Sequence, residues 1–143
     1  MAIRTFLSLP ILVAAAWMAV PAPASATTDA PAKIEGATTI TADELIDLAL
    51  NADGLMIIDA RRRADWLSGH IEGAIHMVNT DMTATALADV AGRSKPVVFY
   101  CNGPHCYRSG DATAKAISWG WTRVYWFRGG IEEWTEKGYP LIR

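Results

Sequence analysis

Positive charge is in short supply in this chain. Across 143 residues, 13 lysines and arginines stand against 15 aspartates and glutamates, a formal net charge of −2. Such a chain lacks the basic field that nucleic acid or an anionic membrane surface demands. Its one basic run, Arg61-Arg62-Arg63, is too short to supply that field and reads as a solvated face. Histidine occurs three times and cysteine twice. No grouping of histidine, cysteine and carboxylate has zinc-ligand spacing, so neither a metal nor any other cofactor is expected. Internal repeats and a second linker are also missing. With 51% hydrophobic and 20% charged residues, the composition is that of a globular domain, not of a disordered chain.

Long apolar runs are scarce too, except at the amino terminus. Arg4 is the only charge in the first 28 residues; an apolar run from Phe6 to Val20 follows, broken by Ser8 and Pro10. Pro21, Pro23 and the small triplet Ala24-Ser25-Ala26 come next. A charged start, an apolar middle and an A-x-A end are the three parts of a secretory signal peptide, and the run is short for a membrane span. Residues 1–26 are therefore expected to be removed after Ala26, giving a periplasmic or secreted protein without a stable membrane anchor. Losing Arg4 leaves 12 basic against 15 acidic side chains, a net charge of −3. Both cysteines, Cys101 and Cys106, stay in the remaining part, in a compartment where a disulfide can persist.

Residues 27–38, rich in Ala, Thr and Pro, read as a flexible tail ahead of a single domain at 39–143. Thr41-Ala42-Asp43-Glu44 is a capping box that predicts a helix start. Leu45, Ile46, Leu48 and Ala49 continue with helical spacing until Asn51-Ala52-Asp53-Gly54. Leu55 to Ile58 is a short apolar run, as expected of a strand covered on both faces. Asp59 to His76 reads as turns with a short strand around Ala74-Ile75. Thr83 to Val90 predicts a helix, Pro96 to Tyr100 a strand, and Ser109 a cap for a helix running to about Trp119 and ended by Gly120. Val124 to Phe127 predicts the last strand and Ile131 to Lys137 the last helix. Strands alternating with helices predict an α/β fold with a mostly parallel sheet and helices on both faces. Trp119, Trp121, Trp126 and Trp134 are expected to pack the core and its rim.

In such sheets, sites form where strands end and helices begin, and only the junction from Tyr100 to Ser109 carries reactive side chains. It reads Cys101-Asn102-Gly103-Pro104-His105-Cys106-Tyr107-Arg108-Ser109. Backbone amides at a helix start, the helix dipole and Arg108 all favour negative charge there, so a thiol in this cradle is expected to exist largely as thiolate. Gly103 and Pro104 suit a tight backbone. His105 at the loop tip reads as surface, with the alternative of poising a nearby thiol. Asp59 and Arg61, at a strand end beside the loop, read either as an ion pair or as residues shaping the site. His70 and His76 read as structural.

Three stretches resemble the rhodanese superfamily of sulfurtransferases. Ile57-Ile58-Asp59-Ala60-Arg61 with Gly69-His70-Ile71-Glu72-Gly73-Ala74-Ile75 is similar to its amino-side signature. Val97-Val98-Phe99-Tyr100-Cys101 with Arg108-Ser109 is similar to its active-site loop. Val124-Tyr125-Trp126-Phe127-Arg128-Gly129-Gly130-Ile131-Glu132-Glu133-Trp134 with Gly138-Tyr139-Pro140 is similar to its carboxy-side signature. The resemblance covers about residues 39 to 142. It implies one rhodanese-like domain whose cysteine takes the outer sulfur of a donor such as thiosulfate, holds it as a persulfide and passes it to a thiophilic acceptor. The implied partners are a small sulfur compound or a protein thiol.

The usual loop has four residues between cysteine and arginine; here six separate Cys101 from Arg108, and one separates Cys106 from it. By its place after the strand, Cys101 matches the family nucleophile. Cys106 is then a resolving thiol, a disulfide partner or the nucleophile itself. The expected catalytic group is Cys101, Cys106 and Arg108, with Asn102, Gly103, His105, Ser109, Asp59 and Arg61 at the substrate. The alternatives to a sulfurtransferase are a thiol–disulfide redox protein and a non-catalytic binding module on the same fold.

Overall fold

Thr41 stops one element and starts the next. Its hydroxyl accepts the Glu44 N–H at 3.3 Å, and the Glu44 carboxylate accepts the Thr41 N–H at 2.7 Å. That reciprocal cap ends the segment that follows strand β1, Ala37–Thr39, and opens helix α1, Ala42–Asn51. Gly54, at φ +71°, then turns the chain, a conformation side chains disfavour. These positions belong to a computed structural model that describes residues 29–143. The expected signal segment, 1–26, lies outside the described residues.

The chain continues through β2 (Met56–Asp59), α2 (Arg63–Ser68), β3 (Ala74–His76), α3 (Ala84–Val90), β4 (Val97–Tyr100), α4 (Arg108–Ser118), β5 (Val124–Phe127) and α5 (Gly130–Glu136). Among the described residues, the five strands form one parallel sheet in the order β1-β5-β4-β2-β3. The α/β expectation holds in this architecture.

Side-chain alternation along the strands divides the core in two. Ile58, Val97, Phe99 and Val124 face one layer, packed with Leu87 of α3, Ala112 and Ala116 of α4, and Trp121. Ile57, Val98, Tyr100 and Phe127 face the other, with Ala42 and Leu45 of α1 and Trp134 of α5. Val97, Val98 and Phe99 are fully buried, each contributing about 1.5–3 kcal/mol of apolar burial. β4 thus lies at the centre of the sheet, and its carboxyl end is held rigidly.

Two local expectations need correction. The segment after β2 contains helix α2, which buries no residue and has no side-chain cap; Leu67 is exposed on it, so no amphipathic stripe marks it. Helix α4 starts one residue before Ser109, from a Tyr107 already in helical conformation, with no side-chain cap. Ser109 instead lies in the first turn, its hydroxyl accepting the Trp126 indole N–H at 3.0 Å.

Candidate active site

Between the end of β4 and the start of α4 lies the loop Cys101 to Tyr107. Cys101 continues directly from the buried strand and is 1% exposed; Cys106 is 9% exposed. The two are joined by a disulfide with Cα atoms 6.2 Å apart. Of the roles left open for Cys106, partner of Cys101 is the one this state displays.

Main-chain bonds pin the loop independently of the disulfide. The Ile131 and Glu132 amides at the start of α5 donate to the Cys101 and Asn102 carbonyls at 3.0 and 2.8 Å. Within the loop, the Cys106 N–H donates to the Gly103 carbonyl at 3.0 Å. Gly130 sits at φ +55°, and a Cβ there would run into the Cys101 carbonyl, so glycine is required where α5 meets the loop. A Cβ on Gly103 would meet the Glu132 carboxylate.

Charge reaches the sulfurs from α4. The Arg108 guanidinium donates from Nη1 to the Cys106 Sγ at 3.6 Å and lies 5.6 Å over the Tyr107 ring. The first-turn amides of α4 have no partner within the helix and add their partial positive charge. The loop therefore brings Cys101, Asn102, Gly103, Cys106 and Arg108 together. Reduced, it presents two adjacent thiols beside a cation; oxidised, it stores two electrons' worth of oxidising capacity.

The remaining expected site residues are bonded elsewhere. His105 is exposed, and its Nδ1 bonds to the Asp29 carboxylate, not to a cysteine. That hydrogen bond, with the Asp29 charge, raises the His105 pKa. Ser109 is committed to Trp126, and its carbonyl accepts the Thr113 hydroxyl at 2.7 Å.

Asp59 and Arg61 form a buried ion pair, with Nη2 and Oδ2 2.6 Å apart. Arg61 also donates to the Gly69 carbonyl at 2.7 Å, and the Tyr100 hydroxyl donates to Asp59 at 2.6 Å. Burial, then the Asp59 charge, pushes the Tyr100 phenol far up. Burial opposes the Arg61 charge, but the Asp59 bonds overcome it and raise its pKa. These bonds brace the β2 and β4 ends beneath the loop. His70 and His76 are structural as expected: the His70 ring stacks on Trp66 at 3.4 Å, and His76 Nε2 lies 2.9 Å from the Arg61 carbonyl.

Two groups escaped the sequence reading. The segment 29–31, within the stretch read as a tail, lies against the loop. The Ala30 N–H donates to the Pro104 carbonyl at 3.0 Å, and Arg128 donates to the Ala30 and Pro31 carbonyls at 3.0 and 2.9 Å. Only Arg128 had a sequence signal, as part of the carboxy-side signature. Asn79, after β3, is buried and donates to Asp111 of α4 at 2.7 Å. Burial raises the Asp111 carboxyl, but its bonds to Lys115 and Asn79 outweigh that and lower it.

Comparison with known proteins agrees with this fold. The family described as the rhodanese-like domain matches residues 41–137. The thiosulfate sulfurtransferase GlpE of Pseudomonas fluorescens (strain SBW25) is 34% identical over 92 residues, covering 64% of this chain and 80% of that protein. The YibN protein of Escherichia coli (strain K12) is 27% identical over 96 residues, or 66% of this chain; the match spans 65% of YibN's length. The crystal structure of the BH2092 protein from Bacillus halodurans superimposes with a TM-score of 0.66 at 26% identity, covering 74% of this chain and 77% of that one. The polysulfide-sulfur transferase homodimer from Wolinella succinogenes shares the fold, with a TM-score of 0.60 at 23% identity, covering 75% and 79%.

Proposed function

This chain belongs to the rhodanese-like domain family, and from that premise we propose that it is an exported sulfurtransferase carrying sulfane sulfur as a persulfide on Cys101. One observation carries the reading: Cys101 stands at the carboxyl end of the central strand, at the head of the loop that leads into α4. A thiol there has a backbone fixed by the sheet and a cation with helix amides nearby, which favour its thiolate. The kinship with thiosulfate sulfurtransferases supports thiosulfate as a donor.

The chemistry is two displacements. The Cys101 thiolate attacks the outer sulfur of thiosulfate; a new sulfur–sulfur bond forms, the old one breaks, and sulfite leaves with the electron pair. A thiophilic acceptor, a small molecule or a protein thiol, then attacks the outer sulfur of the persulfide and regenerates the thiolate. From the disulfide form, a dithiol must first supply two electrons and two protons. Export is supported by the pattern of residues 1–26, and the released chain is proposed to begin at Thr27.

The observed disulfide favours a second reading, a thiol–disulfide redox protein using Cys101 and Cys106. Thiocyanate formation from thiosulfate and cyanide by the pre-reduced protein separates the two. Sulfur transfer that Cys101→Ser abolishes supports the sulfurtransferase. Disulfide exchange with a dithiol in the absence of thiocyanate formation supports the redox protein.

A further inference from the structure

We propose that Cys106 is an internal acceptor, so that the loop reduces sulfane sulfur to sulfide and closes on itself as the observed disulfide. The inference rests on the reading that Cys101 takes the donor sulfur, and extends it to the fate of that sulfur.

The loop holds the two sulfurs together by bonds that do not depend on the disulfide. Cys101 is anchored by β4 and by the Ile131 amide, Asn102 by the Glu132 amide, and Cys106 by its turn onto Gly103. Reduction removes none of these, so a thiol at Cys106 stays within reach of the Cys101 sulfur. A group held in place this way acts at an effective concentration far above any free acceptor. Burial points the same way: Cys101 is 1% exposed, which restricts contact with an external acceptor, whereas Cys106 already reaches its sulfur. Arg108 Nη1, 3.6 Å from the Cys106 sulfur, favours the thiolate that makes the attack.

The step balances without an outside oxidant. The Cys106 thiolate attacks the Cys101 Sγ of the persulfide; the Cys101–Cys106 bond forms, the bond to the outer sulfur breaks, and hydrosulfide leaves with the electron pair. The oxidised loop is then reopened by a dithiol, which supplies two electrons and two protons and becomes a disulfide. Attack on the more accessible Cys106 sulfur expels Cys101 as the thiolate that starts the next cycle. Summed, thiosulfate and a dithiol give sulfite, hydrosulfide, a proton and the dithiol's disulfide. The reaction that must act with this one is therefore a dithiol reduction, by a small dithiol or a dithiol protein.

The test is a single turnover of the full-length protein, pre-reduced, freed of reductant and mixed with thiosulfate. Sulfite, sulfide and intact mass are followed together. We expect one equivalent of sulfide for each equivalent of sulfite, and a protein lighter than the reduced form by two hydrogens. Cys106→Ser and Cys106→Ala are expected to release sulfite, hold a gain of about 32 mass units, one sulfur atom, and give no sulfide. Wild-type protein that keeps the added sulfur and releases no sulfide overturns the internal acceptor while leaving the sulfurtransferase reading intact. Equal sulfide from the Cys106 variants overturns it too. Absence of both sulfite and added mass overturns the sulfurtransferase reading and this inference with it.

Discussion

The Arg108 guanidinium donates to the sulfur of Cys106, at 3.6 Å. A hydrogen bond to a charged group is worth about 1.5–3 kcal/mol, enough to bias that thiol toward its thiolate. In reduced protein, Arg108→Ala is expected to slow alkylation of Cys106 at neutral pH by about tenfold, at the low end of that range. It should also move the alkylation curve to higher pH. Alkylation of each cysteine followed by peptide mass checks this; superimposable curves would remove Arg108 from the site.

Arg61 is expected to behave in the opposite way. Its partner Asp59 is fully buried, and removing one member of such a pair costs about 3–5 kcal/mol because the other charge is stranded. Arg61→Ala should lower the urea midpoint sharply while the alkylation profile of the folded fraction stays as in the wild type. A variant of normal stability with altered thiol reactivity would instead place Arg61 in the site.

The expectations that succeeded and failed show where local chemistry is written in side chains. The Thr41–Glu44 capping box was legible because both partners lie three residues apart and bond each other's backbone. β4 was legible because every residue in it is buried. α2 left no trace, since a helix that buries nothing has no apolar period. The start of α4 was misplaced because Ser109 resembles a cap yet serves the Trp126 indole, a partner 17 residues away. The contact of Ala30 with the loop runs through backbone groups, which no residue type announces. The two cysteines were legible as neighbours on one loop, but their pairing needed the turn at Gly103.

The His105–Asp29 pair makes the contact of Ala30 with the loop pH-dependent. Asp29 raises the His105 pKa above the ordinary value of 6.5. Below the ordinary value the ring is charged in both folded and unfolded chains, and the stabilisation is fully present; it is lost as pH rises through the higher folded value. The ring should titrate above 6.5 by NMR, and Asp29→Asn should return it toward that value. Protection of the Ala30 amide should fall over the same interval. A midpoint at or below 6.5 would contradict the pairing.

Gly130→Ala tests the pinning of the loop. The left-handed backbone at φ +55° costs a side chain about 1–2 kcal/mol, and the new Cβ would push on the Cys101 carbonyl. The variant should unfold at lower urea, and its disulfide should be reduced faster by a small dithiol. Unchanged reduction kinetics would mean that the α5 contact does not hold the loop.

Whether Cys101 accepts the donor sulfur is read most cleanly in protein that lacks the internal acceptor. Pre-reduced Cys106→Ser is mixed with thiosulfate and its intact mass is measured, followed by peptide mapping. A gain of about 32 mass units is expected on the peptide containing Cys101, and none in Cys101→Ser treated alike. No gain in Cys106→Ser, or a gain that appears only in Cys101→Ser, would contradict that role for Cys101.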